Sequence, residues 1–180
     1  MKKFIFILGG ARSGKSRYAV ELAKKISKEV AYIATCTMSD EEMKKRIKLH
    51  KNSRPDHWKI IEEGKDIKSI FAKLKDRYEV LIIDCLGLFV SNLLMEDFKD
   101  SQIQKILKEL VHVVCKAKFT TILVSNEVGC GIVPDNLLAR RFRDIVGFVN
   151  QMIAERADEV IFMEAGIPIK IKVETENAKA

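Results

Sequence analysis

The stretch Phe4-Ile5-Phe6-Ile7-Leu8 runs directly into Gly9-Gly10-Ala11-Arg12-Ser13-Gly14-Lys15-Ser16, and this junction constrains the fold more than any other feature of the chain. An unbroken apolar run suits a parallel strand covered by helices on both faces. The segment after it satisfies G-x-x-x-x-G-K-[ST] at every position. Glycines let the backbone wrap with its N–H groups turned inward, and the positive end of the following helix faces the bound anion. In such a cradle Lys15 contacts the β- and γ-phosphates of a nucleotide and Ser16 ligates Mg²⁺. The context fits, because Ser16 to about Ser27 repeats Tyr18/Ala19, Leu22/Ala23 and Ile26 at helical spacing. Asp84 closes another apolar run, Val80–Ile83, where a P-loop NTPase places its second metal-organising carboxylate. A plain acid at a strand-to-loop junction is the other reading of that residue.

The remaining elements extend the same pattern. Val30–Ala34, His57–Ile61, Thr120–Ser125, Glu159–Met163 and Ile167–Val173 read as strands or extended segments. Helices are expected over 66–75, 87–98, 102–117 (opening on a Ser101/Gln104 capping box) and 134–157. A further helix should begin at the Ser39-Asp40-Glu41-Glu42 capping box, with Met38 and Met43 as its hydrophobic staple, and end before Arg54-Pro55. Strands alternating with helices predict an α/β fold of the P-loop NTPase class (RecA-like), a mainly parallel sheet flanked by helices on both sides. Without repeats or linkers, residues 1–180 read as a single nucleotide-binding domain. Asn126-Glu127-Val128-Gly129-Cys130-Gly131-Ile132-Val133-Pro134 reads either as a shaped loop on the ligand-binding edge or as an ordinary connection.

Composition removes several function classes. With 47% hydrophobic residues the chain can build a core, which excludes wholesale disorder. Its longest apolar runs fall far short of the roughly 18 residues of a membrane span, and Met1-Lys2-Lys3 leads into a strand rather than a signal segment. Cys36, Cys85, Cys115 and Cys130 form no CxxC pair, so they read as reduced thiols of a cytoplasmic enzyme. The net charge of +7 is uneven: residues 41–77 carry twelve basic side chains against seven acidic ones. Such a region attracts polyanions or is simply a solvated surface. Nucleic acid is not the expected partner, because aromatic residues make up only 7% of the chain and none interleave with a basic stretch.

His50 shares one face of the expected helix with Met43 and Ile47, among Arg46, Lys48, Lys51 and Arg54. Neighbouring cations disfavour imidazolium, and a neutral imidazole is a competent nucleophile toward phosphorus. A core histidine is the alternative. His57 and His112 read as structural.

Together with the cradle, Arg46-Ile47-Lys48-Leu49-His50-Lys51, Arg54-Pro55-Asp56-His57-Trp58, Asn126–Pro134, and Leu138–Gly147 with Asn150-Gln151 closely resemble the bifunctional adenosylcobinamide kinase / adenosylcobinamide-phosphate guanylyltransferase family. The resemblance runs from about residue 4 to 172. It implies that ATP or GTP phosphorylates adenosylcobinamide, and that GMP then passes from GTP to adenosylcobinamide phosphate through a covalent GMP-histidine at His50. It also implies nucleotide contacts from Gly9, Gly10, Ala11, Arg12, Ser13, Gly14, Lys15 and Ser16, from Ala34, Thr35 and Cys36, from Lys51, Asn52, Ser53 and Arg54, and from Glu62 and Asp84. Mg²⁺ would sit on Ser16 and Asp84, and the assembly would be a homotrimer with active sites near subunit contacts. Relatives carry Glu in place of Asp84, or a second histidine in place of Leu49. The competing readings are a P-loop small-molecule kinase without guanylyltransferase activity, an ATP-driven nucleic-acid-binding protein and a non-catalytic regulator that binds nucleotide without turnover.

Overall fold

The computed structural model describes residues 2–36, 54–74 and 77–173. Within them β1 (Phe4–Gly9) leads to α1 (Lys15–Ile26), β2 (Val30–Ala34), β3 (Lys59–Glu62), α2 (Ile67–Leu74) and β4 (Val80–Asp84). Then follow α3 (Leu86–Met95), α4 (Asp100–Cys115), β5 (Thr120–Asn126), α5 (Leu137–Arg156), β6 (Glu159–Glu164) and β7 (Ile167–Lys172). The strands lie in one sheet in the order β3-β2-β4-β5-β1-β6-β7. All neighbours pair in parallel except β7, which returns antiparallel to β6. This is the mainly parallel α/β sheet expected from the apolar runs.

The runs are continuous because both faces of the sheet are covered. Phe4, Phe6 and Leu8 of β1 pack with Ile33, Leu81, Ile83 and Leu123 against α2, α3, α4 and α5. The intervening residues Ile5, Ile7, Tyr32, Ile82 and Val124 face the other way, toward Ala19, Val20 and Ala23 of α1 and toward Trp58. Each fully buried aliphatic side chain contributes about 1.5–3 kcal/mol, so the central strands hold much of the stabilising burial.

The crossovers fix where a ligand can bind. From β1 the chain passes over α1 to β2 on one side of the sheet; from the adjacent β5 it passes over α5 to β6 on the other. Neighbouring strands whose connections leave in opposite directions open a crevice at their carboxyl ends. Gly9 at the end of β1 is tightly constrained there: a Cβ would lie 2.4 Å from the carbonyl oxygen of Met163 on β6.

Several element ends differ from the expectation. The long helix begins at Leu137 rather than Pro134, because Asn136 accepts a hydrogen bond from the Ala139 N–H (3.0 Å) and caps it. At α4 the expected Ser101/Gln104 box is replaced two residues earlier: Gln102 Oε1 accepts from the Lys99 N–H at 2.8 Å. Helix α3 stops at Met95, before the expected residue 98. Asp97 takes a left-handed φ of 58°, while the N–H groups of Asp97 and Phe98 bond back to Leu94 and Leu93, a Schellman ending. The expected Ser39/Glu42 capping box, the Met38/Met43 staple and the helix through Lys51 lie outside the described residues.

A Gly9→Ala substitution should lower stability by about 1–3 kcal/mol, the ordinary cost of forcing atoms into a packed site. Urea denaturation checks this, with the midpoint falling and the slope unchanged.

Candidate active site

Strand register aligns the predicted site residues along one edge. Ala34 pairs with Glu62 on β3 and with Asp84 on β4, and Gly9 pairs with Asn126 on β5. The carboxyl ends of five adjacent strands therefore carry Glu62, Ala34, Asp84, Asn126 and Gly9 in spatial order.

The cradle closes on itself after β1. Gly10 O accepts from the Ser13 N–H (3.3 Å) and from Lys15 Nζ (2.5 Å), and Lys15 Nζ also reaches Ser13 Oγ at 3.5 Å. Gly14 adopts a left-handed φ of 92° at the N-cap of α1, which suits a residue without a side chain. Ala11 and Arg12 are exposed at the rim, and Ser16 is half-buried on the first turn of α1. The turn between β6 and β7 backs the loop, its Gly166 N–H donating to Ser13 O at 3.1 Å. Lys15 is only 7% exposed. Burial drives its pKa below the usual lysine range, offset in part by Cys85 and Asp84 nearby. An ammonium bonded to a carbonyl and a hydroxyl, both neutral, is prepared for an anion.

Asp84 accepts a hydrogen bond from the Tyr32 hydroxyl. Burial, and then the Asp84 charge, raise the Tyr32 pKa well above its ordinary value, so the phenol keeps its proton and remains a donor. The Arg54 guanidinium lies 3.7 Å from the centre of the Tyr32 ring, and its Nη1 is buried without a hydrogen-bond partner among the described residues. Arg54, Pro55, Asp56, Ile60 and Glu62 line a cavity of about 360 Å³.

The ends of β2 and β4 are locked together. Thr35 Oγ1 donates to Cys85 O (2.7 Å) and accepts from the Cys85 N–H (2.8 Å), while Asn92 Nδ2 donates to Thr35 O (2.8 Å) and Gly64 O (3.1 Å). Burial pushes the Cys85 thiol up to about 12, which makes it a packing group rather than a nucleophile. Cys36 is half-buried beyond Thr35. No disulfide joins cysteines among the described residues.

The loop after β5 starts beside the cradle, with the Glu127 N–H donating to Gly9 O at 2.9 Å. Asn150 of α5 accepts from Ser125 Oγ (2.7 Å) and donates to Asn126 O (3.0 Å), tying the long helix to this edge. Arg140 reaches back to Pro134 O and Asp135 O. The loop is therefore held at both ends.

The structure thus brings Gly9–Ser16, Ala34, Thr35, Asp84, Arg54 and Glu62 to the carboxyl edge. His50, Lys51, Asn52 and Ser53 lie outside the described residues. His57 and His112 are exposed. Sequence reasoning passed over Tyr32 and Asn92. Asn92 carried a signal, being a lone carboxamide in the apolar helix 86–95; Tyr32 was hidden inside an apolar strand.

Among the described residues no group of three His, Cys, Asp or Glu side chains could hold a metal. Mg²⁺ does not require one, since it is commonly held by one or two protein oxygens together with substrate phosphates and water. The hard oxygens of Ser16 and Asp84 match that donor chemistry.

A glycine turn between a central parallel strand and a helix, with an acid ending a nearby strand, defines a P-loop NTPase. The fold is similar to an ATPase of the type III secretion system of pathogenic bacteria (TM-score 0.60, 10% identity, 93% of this chain and 56% of that one). It is also similar to the RadB recombinase (TM-score 0.50, 13% identity, 89% of this chain and 73% of that one). At these identities the likeness is one of fold. The chain belongs to the CobU family, cobinamide kinase / cobinamide phosphate guanyltransferase, which residues 5–171 match. It is 40% identical to the bifunctional adenosylcobalamin biosynthesis protein CobU of Escherichia coli (strain K12), covering 93% of this chain and 99% of that protein. The bifunctional adenosylcobalamin biosynthesis protein CobP of Pseudomonas aeruginosa is also 40% identical, over 93% of this chain and 96% of its own.

Lys15→Met tests the buried ammonium. A lysine whose pKa falls on folding destabilises the folded state while it is charged, and that cost fades as pH climbs from the lowered value toward the unfolded 10.5. The variant should therefore melt no lower than the parent at pH 7, and its stability should rise less between pH 8 and 10. Addition of GTP should no longer raise its melting temperature. Thermal scans with and without nucleotide check all three outcomes.

Proposed function

We propose that the protein phosphorylates the aminopropanol hydroxyl of adenosylcobinamide with ATP or GTP, then transfers GMP from GTP to the adenosylcobinamide phosphate it has made. The observation that carries this reading is the buried Lys15, bonded to Gly10 and Ser13 and sharing the carboxyl edge with Asp84 in a chain of the cobinamide kinase / guanyltransferase family.

In the kinase step, inward backbone N–H groups of Gly9–Ser16 and the Lys15 ammonium bind the β- and γ-phosphates and stabilise charge as the γ-phosphoryl group leaves. Ser16 and Asp84 would hold Mg²⁺, which supplies charge neutralisation at the phosphates when bound. In the guanylyl step an imidazole nitrogen of His50 attacks the α-phosphorus of GTP. A P–N bond forms, the bond from the α-phosphorus to the bridging oxygen breaks, and pyrophosphate leaves. A phosphate oxygen of the cobinamide substrate then attacks the same phosphorus and releases His50. Covalent catalysis divides one hard displacement into two easier ones. Arg54, with a buried unpartnered Nη1 beside a cavity shared with Glu62, supports a nucleotide contact from that segment. Ala34, Thr35, Cys36, Lys51, Asn52 and Ser53 complete the proposed nucleotide contacts.

Both activities are assigned to one domain spanning 1–180. A homotrimer in the cytoplasm is the proposed state, with no nucleic-acid partner. Self-association is supported by Ile167, Ile169, Ile171 and Val173, which alternate along the edge strand β7 and its end and are all exposed. Among the described residues no helix is long and apolar enough to cross a membrane.

Intact-mass spectrometry after incubation with GTP and Mg²⁺ should reveal one added GMP, mapped to His50 by peptide analysis and absent from His50→Ala. A GMP adduct persisting in His50→Ala would transfer the nucleophile to another residue; no adduct in the parent protein would leave a kinase alone.

A further inference from the structure

The carboxylate at the end of β4 is not left to choose its own rotamer. Tyr32 pairs in register with Ile82, two residues before Asp84, and its side chain runs along that face of the sheet until its hydroxyl donates to Asp84 Oδ2. One carboxylate oxygen thereby accepts a hydrogen bond that fixes the group's orientation, while Oδ1 accepts none among the described residues. The same ring carries the Arg54 guanidinium on its face at 3.7 Å, and Arg54 Nη1 is buried with no hydrogen-bond partner among the described residues. Tyr32 is itself only 1% exposed, so the core fixes the ring on which both groups rest.

We propose that Tyr32 is a positioning residue that sets two sites at once: its hydroxyl orients Asp84 toward a divalent cation, and its ring face orients Arg54 toward nucleotide phosphate. The inference rests on the proposed roles of Asp84 and Arg54. A group that orients a metal-binding carboxylate typically changes metal affinity by 10–100-fold when removed. Cation–π contacts are smaller but significant once partly desolvated. No other hydroxyl needs to be invoked, and the ring cannot be replaced by an aliphatic chain without losing both contacts.

Two substitutions separate the functions. Tyr32→Phe keeps the ring and deletes the hydroxyl; Tyr32→Leu deletes both. Binding of Mn²⁺ to the GTP complex, read from loss of the free-ion electron paramagnetic resonance signal, should weaken about tenfold in Tyr32→Phe. GTP affinity measured in chelator should be unchanged in Tyr32→Phe and about fivefold weaker in Tyr32→Leu. In an Asp84→Asn background, Tyr32→Phe should weaken Mn²⁺ no further, which a merely structural role for the phenol does not predict. Mn²⁺ affinity within twofold of the parent in Tyr32→Phe, or equal additional losses in both backgrounds, overturns the inference. If Asp84→Asn alone leaves Mn²⁺ affinity unaltered, the assignment of Asp84 to the metal fails instead, and the two failures are distinguishable. Should either Tyr32 variant not fold, 3-fluorotyrosine labelling of the parent decides the matter. With three tyrosines in the chain, Tyr18→Phe and Tyr78→Phe identify the Tyr32 fluorine resonance. It should shift when Mg²⁺ is added to the GTP complex, and an unmoved resonance overturns the proposal.

Discussion

A lysine ammonium packed out of water against a backbone carbonyl and a serine hydroxyl is the constraint on which the rest of the structure turns. Lys15 Nζ is held by Gly10 O and Ser13 Oγ, and burial depresses its pKa. Such a group is tolerable in a folded protein only where neighbouring dipoles are arranged for it and where an anion can complete its solvation. Gly9, Gly10 and Gly14 bend the chain so that those dipoles converge, and the central place of β1 holds the loop rigid. Under the proposed function, the stability surrendered at this point becomes affinity for a polyphosphate.

The sheet order explains why the carboxyl edge, rather than another surface, carries this chemistry. Because β1 and β5 send their crossovers in opposite directions onto opposite faces, a crevice opens at their carboxyl ends. Parallel pairing brings Glu62, Ala34 and Asp84 to the same level. Thr35, Cys85 and Asn92 then lock the β2 and β4 ends by hydrogen bonds that water cannot reach, since all three residues are buried. Glu62, Ala34, Asp84 and the start of the glycine loop therefore stand on rigid strand ends, with a loop from Asn126 to Pro134 held at its base by Asn150 and at its exit by Arg140.

Much of this is legible in the sequence, for particular reasons. β1 and β4 announce themselves as unbroken apolar runs because both of their faces are buried, and the cradle follows a spacing that backbone geometry imposes. Asp84 is visible because a charge at the end of such a run has to emerge at an edge. The strand order is not legible, since it depends on which way each crossover turns. Helix starts shift by a turn or less where competing caps lie close together, as with Gln102 against Gln104 and Asn136 against Pro134. Tyr32 is missed because a tyrosine in an apolar run counts as bulk; only the structure shows that its hydroxyl ends beside a carboxylate two positions along the neighbouring strand. The Gly9 contact with Met163 joins residues too far apart in sequence for local pattern to reveal.

That distance has a consequence for how the protein is made. The glycine-rich loop precedes in the chain the elements that support it: β1 pairs with β5 and β6, and the loop itself is braced by the Gly166 N–H on Ser13 O. During translation the emerging loop has its glycines and lysine but none of these supports. The brace from the hairpin around residue 166 forms only once that hairpin has been synthesised and docked, so the loop is translated well before its support is in place.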